Sequence, residues 1–182
     1  MVLQEKNYIA KQKKKYFIWG SCLTLVVFGI FGIGLWMTKT RANLFTVSAC
    51  VIAIGAALFI TRWISFSRYK DGKEEIANLL ETLPEGVQIL HSAIIPYAKG
   101  TAYFEHIVVT GSKIYLIAYT KDQVEKYGAA VQEVLEMKGI LKKHLCFLVI
   151  QNVEQMRKYI PKIEQQEKDS NNYGAKISEI LM

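Results

Sequence analysis

Two apolar stretches close to the N-terminus constrain this sequence more than any other feature. Residues 16–37 contain no charged residue, and residues 44–66 contain one, Arg62, near enough to the end of the stretch to extend its guanidinium to an interface. Each stretch has the ~20 residues that a helix needs to cross the hydrocarbon core of a bilayer. Because only residues 38–43 separate them, the sequence predicts a transmembrane helical hairpin over residues 16–66.

The positive charge of the chain is concentrated in the same region. The net charge is +7, and residues 1–66 contribute eight Lys and Arg against one Glu. Residues 67–182 carry fifteen residues of each sign, so nothing in their charge favours a nucleic-acid partner. The excess instead fits the rule by which Lys and Arg orient membrane helices.

Orientation follows from where these cations lie. The basic N-terminal segment, residues 1–15, and the residues after the second stretch are richer in Lys and Arg than the loop, which has Lys39 and Arg41. The predicted location is therefore the inner membrane, with both termini cytoplasmic. Lys13, Lys14 and Lys15 could alternatively form a patch for anionic lipid or nucleic acid.

Small residues recur every four positions in the second stretch. Ala49, Ala53 and Ala57 predict a smooth helix face that packs the hairpin on itself or joins two protomers. No Asp, Glu or His lies in either stretch, so the residues of a proton relay or an ion path are missing. The bilayer is thus the predicted partner of this segment, and a homo-oligomer is an open alternative.

Residues 67–166 read as one α/β domain, followed by a polar tail over residues 167–182. Apolar periodicity and turn residues predict the order α-β-β-β-α-β-α. The predicted elements are a helix at 71–83, strands at 87–95, 103–110 and 113–119, a helix capped by Asp122 and ending at Gly139, a strand at 145–150, and a helix from Asn152 to about 166. The last strand is wholly apolar, which is typical of a strand buried on both faces.

Several short stretches of this domain resemble the nuclease-related domain (NERD) family, whose fold is restriction-endonuclease-like with an αβββαβ core. The stretches that carry the resemblance are residues 71–80, 83–84, 87–90, 104–109 and 113–117, with Gln132 on the following helix. The resemblance covers most of the domain and none of the membrane hairpin. It implies a nuclease site in which three carboxylates and a lysine hold Mg²⁺ or Mn²⁺.

The positions that match this implied site are degenerate. They are occupied by Lys73, Glu105, Ala118 and Thr120, of which only Glu105 could ligate a metal ion. A shifted register would bring Glu74 or Glu75 in beside Glu105 and leave the other ligands missing. The sequence therefore predicts no catalytic residue, no metal and no cofactor.

The histidines near this position are interpreted as structural residues. Glu105 and His106 are neighbours on a predicted strand, so their side chains are expected on opposite faces. His91 and His144 have no partner at a recognisable spacing, and are expected to be isolated side chains at the surface or in the core.

Three functions are left open by these features. The first is a catalytically inactive domain that acts as a protein-interaction or assembly module at the inner membrane surface. The second is a membrane-tethered, metal-dependent nuclease using Glu74 or Glu75 with Glu105. The third is an effector whose hairpin disrupts the membrane through the small-residue face.

Overall fold

The computed structural model describes residues 2–165, and the polar tail predicted for residues 167–182 lies outside them. The chain forms two compact units, one over Ile9–Lys70 and the other over Met1–Tyr8 together with Asp71–Met182. The α-helices are α1 (Tyr8–Thr38), α2 (Leu44–Ser67), α3 (Glu74–Leu80), α4 (Lys121–Met137) and α5 (Val153–Gln165). The strands are β1 (Val2–Gln4), β2 (Gln88–Tyr97), β3 (Gly100–Val109), β4 (Ile114–Ala118) and β5 (Leu145–Val149).

The unit over Ile9–Lys70 contains two helices that are long and apolar enough to cross a membrane. α1 begins at Tyr8, eight residues before the predicted start, so the lysines at 11–15 lie on the helix itself. In the most apolar window of each helix only 11% of the residues are buried. Large side chains such as Leu25, Trp36 and Leu44 are 71%, 83% and 79% exposed. These helices therefore differ from the buried core helices of soluble proteins, which pass the same length test.

The small residues predicted to form one face of α2 differ in their burial within the chain. Ala49 and Ala56 are buried, Ala53 is half-buried, and Ala57 is exposed. Each residue turns an α-helix by about 100°, so two steps of four residues rotate a position about 80° away from the first. A spacing of seven residues stays on one face, which is why Ala56 replaces Ala57.

Asn43 organises the connection between the two long helices. Its side-chain oxygen accepts from the Thr46 amide at 2.8 Å and so caps α2, while its amide donates to the Thr38 hydroxyl at 2.7 Å. Gly34 lies beneath this turn, where an added Cβ would be 2.5 Å from the Cβ of Phe45. The turn therefore depends on the absence of a side chain at position 34.

We expect Gly34→Ala to lower the thermal midpoint of the purified full-length protein in detergent, because Phe45 and the capped turn must move apart. Gly29→Ala is the matched control, since an added Cβ there meets nothing within 4 Å. Alanine also stabilises a helix interior by up to about 1 kcal/mol over glycine, so Gly29→Ala should keep or raise the midpoint. Equal midpoints for the two variants would contradict this packing.

The second unit is built on a five-stranded mixed sheet in the order β1-β2-β3-β4-β5. β2, β3 and β4 form an antiparallel meander, whereas β1 runs parallel to β2 and β5 parallel to β4. The predicted order of the domain is confirmed, as is the tight turn between β3 and β4, where the Thr110 amide donates to the Lys113 carbonyl at 2.9 Å. β1 was not predicted. It precedes α1 in the sequence, so the helical hairpin is inserted between two adjacent strands of one sheet.

Helices cover both faces of the sheet. α4 packs on one face, whose apolar core consists of Leu90, Ala93, Ile95, Ala102, Phe104, Ile107, Val109, Ile114, Leu116, Ala118, Val131, Leu135 and Ile140. The second core contains residues of α3 and α5, and consists of Ile76, Leu80, Leu83, Val87, Ile89, Val108, Tyr115, Ile117, Leu148, Ile150, Met156 and Ile163. β5 contributes to both faces as predicted, but it lies at the sheet edge and is half-buried at four of its five positions.

The helix caps of this unit correct one prediction and confirm another. α4 is capped by Thr120, not by Asp122: the Thr120 hydroxyl accepts from the Gln123 amide, and the Gln123 side chain bonds back to the Thr120 backbone. This reciprocal arrangement is a capping box. Asn152 caps α5 as predicted, with its side-chain oxygen 2.9 Å from the Gln155 amide.

β2 and β3 share one interruption of the usual alternation of side chains. Leu90 and Ala93 both face the α4 core, as do their partners Ile107 and Phe104 on β3. Residues on one face of a strand are normally two apart, whereas these are three apart, so each strand has one extra residue at this point. Ser92 lies at this point with a left-handed backbone, φ 56°. Strict alternation, on which the assignment of Glu105 and His106 to opposite faces rested, therefore does not hold here.

Candidate functional site

The segment before α3, the middle of β3 and the residues after β4 meet at one polar cluster. A Cβ added to Gly72 would lie 2.7 Å from Cε1 of His106 and 3.1 Å from the hydroxyl oxygen of Tyr119. Such close approach is possible only for glycine. The three regions that contain the positions compared with a nuclease site, around Lys73, Glu105 and Ala118, therefore lie close together.

The matched positions themselves hold the fold together. The backbone N–H of Lys73 donates to the Tyr119 hydroxyl at 2.5 Å, and its ammonium donates to the Gln151 carbonyl at 2.6 Å. Ala118 is fully buried in the core, and Thr120 caps α4. Lys73 therefore ties the start of α3 to the ends of β4 and β5.

Glu105 is the one carboxylate buried in this cluster, with 7% of its surface exposed. Its Oε1 accepts from the side chain of Gln123 at 3.1 Å, while its Oε2 has no hydrogen-bond partner among the described residues. Burial raises the pKa of Glu105, although the bond from Gln123 acts in the opposite direction. Glu105 is therefore a weaker acid than a glutamate exposed to water.

The donor set does not fit a nuclease-type metal site. Across residues 2–165, no three His, Cys, Asp or Glu side chains are grouped so that they could hold a metal ion. Glu74 and Glu75 lie exposed in the first turn of α3. Asp71 is close to the cluster, where its Oδ1 accepts from the Ser92 hydroxyl at 3.0 Å.

The centre of the cluster is a pair of buried histidines, His91 on β2 and His106 on β3. These residues are direct partners in the sheet register, they are 0% and 1% exposed, and their Nδ1 atoms are 2.9 Å apart. The prediction that His91 is an isolated side chain is wrong. His144 lies elsewhere, with its Nδ1 2.7 Å from the Ser112 carbonyl.

One arrangement of protons satisfies every contact within this pair. The Tyr119 hydroxyl accepts from Lys73 N–H and keeps a proton that it can donate to Nε2 of His106, 3.1 Å away. In this arrangement His106 carries its proton on Nδ1 and donates it to Nδ1 of His91. His91 in turn carries a proton on Nε2, which lies 3.6 Å from a carboxylate oxygen of Glu81.

Both histidines are held neutral by this environment. Burial, with a smaller contribution from His91, lowers the pKa of His106 to about 3. Burial also lowers the pKa of His91, against the opposing effect of Glu81, whose other oxygen is 2.7 Å from the ammonium of Lys6. Burial raises the pKa of Tyr119 to about 12, so its hydroxyl keeps its proton. The cluster is a buried chain of neutral hydrogen bonds with no ring surface open to a substrate.

His91, Tyr119 and Gln123 were not predicted to belong to this cluster. For His91 the available signal was the register of the β2–β3 hairpin. Tyr97 pairs with Gly100 across a two-residue turn, and the same register pairs His91 with His106. Gln123 had a clearer signal, because Thr followed three residues later by Gln is the sequence of a capping box.

Comparison with protein-family models, curated proteins and solved structures gives no match to this chain.

We expect the free energy of unfolding to fall as the pH is lowered from about 7 to about 5. Both histidines have folded pKa values below the unfolded value of 6.5, so the unfolded chain binds protons that the folded chain excludes. For His106, whose folded pKa is about 3, the loss approaches about 1.4 kcal/mol per pH unit, and His91 adds a loss of the same sign. Glu105 acts in the opposite sense, because its raised folded pKa lets the folded chain hold a proton at pH values above the unfolded pKa of 4.5, so it offsets part of this loss.

Urea unfolding of the full-length protein in detergent, followed by circular dichroism, measures this pH dependence. The double variant with His91→Asn and His106→Asn should be less stable at neutral pH and should lose most of the slope. His144→Asn, at a half-buried position outside the cluster, is the control and should keep the slope. A slope that survives in the double variant would contradict the assignment.

Proposed function

We propose that this chain is a membrane-anchored protein whose NERD-like α/β domain does not hydrolyse phosphodiester bonds and serves as a protein-interaction module at the inner membrane surface. The observation that carries this proposal is the use of the matched catalytic positions in contacts that hold the fold. A lysine that binds a backbone carbonyl, a threonine that caps a helix and an alanine in the core leave only Glu105 with a metal-binding group.

Membrane anchoring is supported by the exposure of the two long helices. Their apolar side chains would be costly in water, at roughly 25 cal/mol for each Å² exposed, and a bilayer removes that cost. The pairing of β1 with β2 adds a topological argument, because both ends of the hairpin lead into one sheet. Two crossings would leave residues 2–4 and 88–97 on one side of the membrane, and the excess of Lys and Arg outside the loop favours the cytoplasmic side.

An interaction role is supported by the free edge of β5. Among the described residues this strand pairs with β4 on one side only, and its sequence Leu-Cys-Phe-Leu-Val has neither a charge nor a proline to protect the edge. Two exposed apolar side chains, Met137 and Leu141, precede it at 73% and 57% exposure. A partner could add a strand to this edge.

The membrane-disrupting alternative rested on the alanine face of α2. Ala49 and Ala56, its buried members, are used in packing, so no observation favours that function over simple anchoring. The nuclease alternative is retained only as an outcome of the following test.

We expect the full-length protein to cleave neither single- nor double-stranded DNA in the presence of Mg²⁺ or Mn²⁺. Glu105→Gln is the diagnostic variant, because Gln keeps the shape of the side chain and the contact with Gln123 while removing the only buried carboxylate of the cluster. The Glu105→Gln variant should show the same absence of DNA cleavage as the wild type. Metal-dependent cleavage that disappears in Glu105→Gln would establish the nuclease.

We expect a photo-crosslinking residue at Leu141 to capture a protein partner or a second copy in intact cells, at higher yield than the same residue at Glu133 on α4. Ile150 donates its N–H to Ala118 of β4, so the N–H of Val149 points away from the sheet. Val149→Pro removes that donor without breaking the β4–β5 ladder and should abolish the adduct. Val149→Thr keeps the donor and should keep the adduct; loss in both variants, or in neither, would contradict strand addition.

A further inference from the structure

The helical hairpin carries an apolar groove formed by both of its helices. The groove has a volume of about 470 Å³ and is lined mainly by Tyr16, Phe17, Leu25 and Phe28 of α1 with Ile60 and Trp63 of α2. Ser21 and Thr24 also line it, and the Thr24 hydroxyl donates to the Gly20 carbonyl at 2.8 Å, so it is satisfied within the helix. The rest of the lining is hydrocarbon or aromatic ring, which suits an acyl chain.

The length of the groove matches one leaflet of a bilayer. Tyr16 and Phe28 are twelve residues apart on one helix, which corresponds to a rise of about 18 Å. The hydrocarbon core of a bilayer is about 30 Å thick, so one leaflet contributes about 15 Å. A single acyl chain lying along α1 would fill the groove from end to end.

Cations surround only one end of this groove. Residues 9–70 contain nine Lys and Arg and no Asp or Glu, and two of the nine, Lys39 and Arg41, lie in the distant loop. The Cζ atom of Arg62 is 5.8 Å from the centre of the Tyr16 ring, at the mouth of the groove. Lys14 is exposed one helical turn before Phe17, on the same face. Positive charge therefore meets the apolar groove at the level where a lipid headgroup would lie.

We propose that the groove binds one anionic phospholipid, with an acyl chain along Tyr16 to Phe28 and the phosphate against Arg62 and Lys14. The proposal rests on the membrane location proposed above and adds a lipid preference to it. The absence of any acidic residue in residues 9–70 favours an anionic lipid over a zwitterionic one, because the unit supplies no counter-charge of its own.

The test uses the full-length protein in phosphatidylcholine vesicles, with Trp63 as the only tryptophan after Trp19→Phe and Trp36→Phe. Quenching of Trp63 by acyl-brominated phosphatidylglycerol is compared with quenching by acyl-brominated phosphatidylcholine at the same mole fraction. We expect a preference of about fivefold for phosphatidylglycerol, to which Arg62 and Lys14 contribute about equally. Arg62→Gln and Lys14→Gln should each lower it to about twofold.

Lys15→Gln is the matched control, because Lys15 has the same charge and depth but precedes Ile18 and Trp19, which lie outside the groove. It should keep the preference. Equal quenching by the two lipids, or an equal loss in Lys15→Gln and Lys14→Gln, would overturn the lipid site while leaving the anchor intact. Quenching by neither lipid would show that the hairpin does not enter the bilayer, and both proposals would fall.

Discussion

The cost of exposing two apolar helices to water is the constraint on which the rest of this structure depends. α1 and α2 have 31 and 24 residues, and most of their large side chains face outward. Contacts between the helices include Gly20 with Ile60 and Gly34 with Phe45. Exposed apolar side chains of this kind favour an apolar surrounding, and in the sequence the pair lies between β1 and β2 of one sheet.

The polar cluster at β2 and β3 joins the segment before α3 to the middle of the sheet. Gly72 lets the segment before α3 approach His106, and Lys73 ties that segment to Tyr119 and Gln151. The two histidines complete a chain of hydrogen bonds that stays neutral because it is buried. Buried polar groups that are hydrogen-bonded to one another in this way stabilise a fold.

Much of the fold could be predicted from the sequence, because its strongest signals are local. The two long apolar stretches predicted the long helices, and periodicity predicted the order of helices and strands from α3 to α5. β1 was missed because three residues carry too little pattern to indicate a strand, and its pairing joins residues more than eighty positions apart. The contact between His91 and His106 was missed for a related reason, since it depends on the register of the β2–β3 hairpin and not on any spacing motif.

The side of the membrane on which each end of the hairpin lies is the most direct measure of the membrane-anchored arrangement. Single cysteines at Asn7 and Ala42, in a background with Cys22, Cys50 and Cys146 replaced, can be labelled with an impermeant maleimide in sealed vesicles of either orientation. Position 42 should react only from the outer face of the membrane and position 7 only from the cytoplasmic face. Labelling of both positions from the same face would contradict two membrane crossings between β1 and β2.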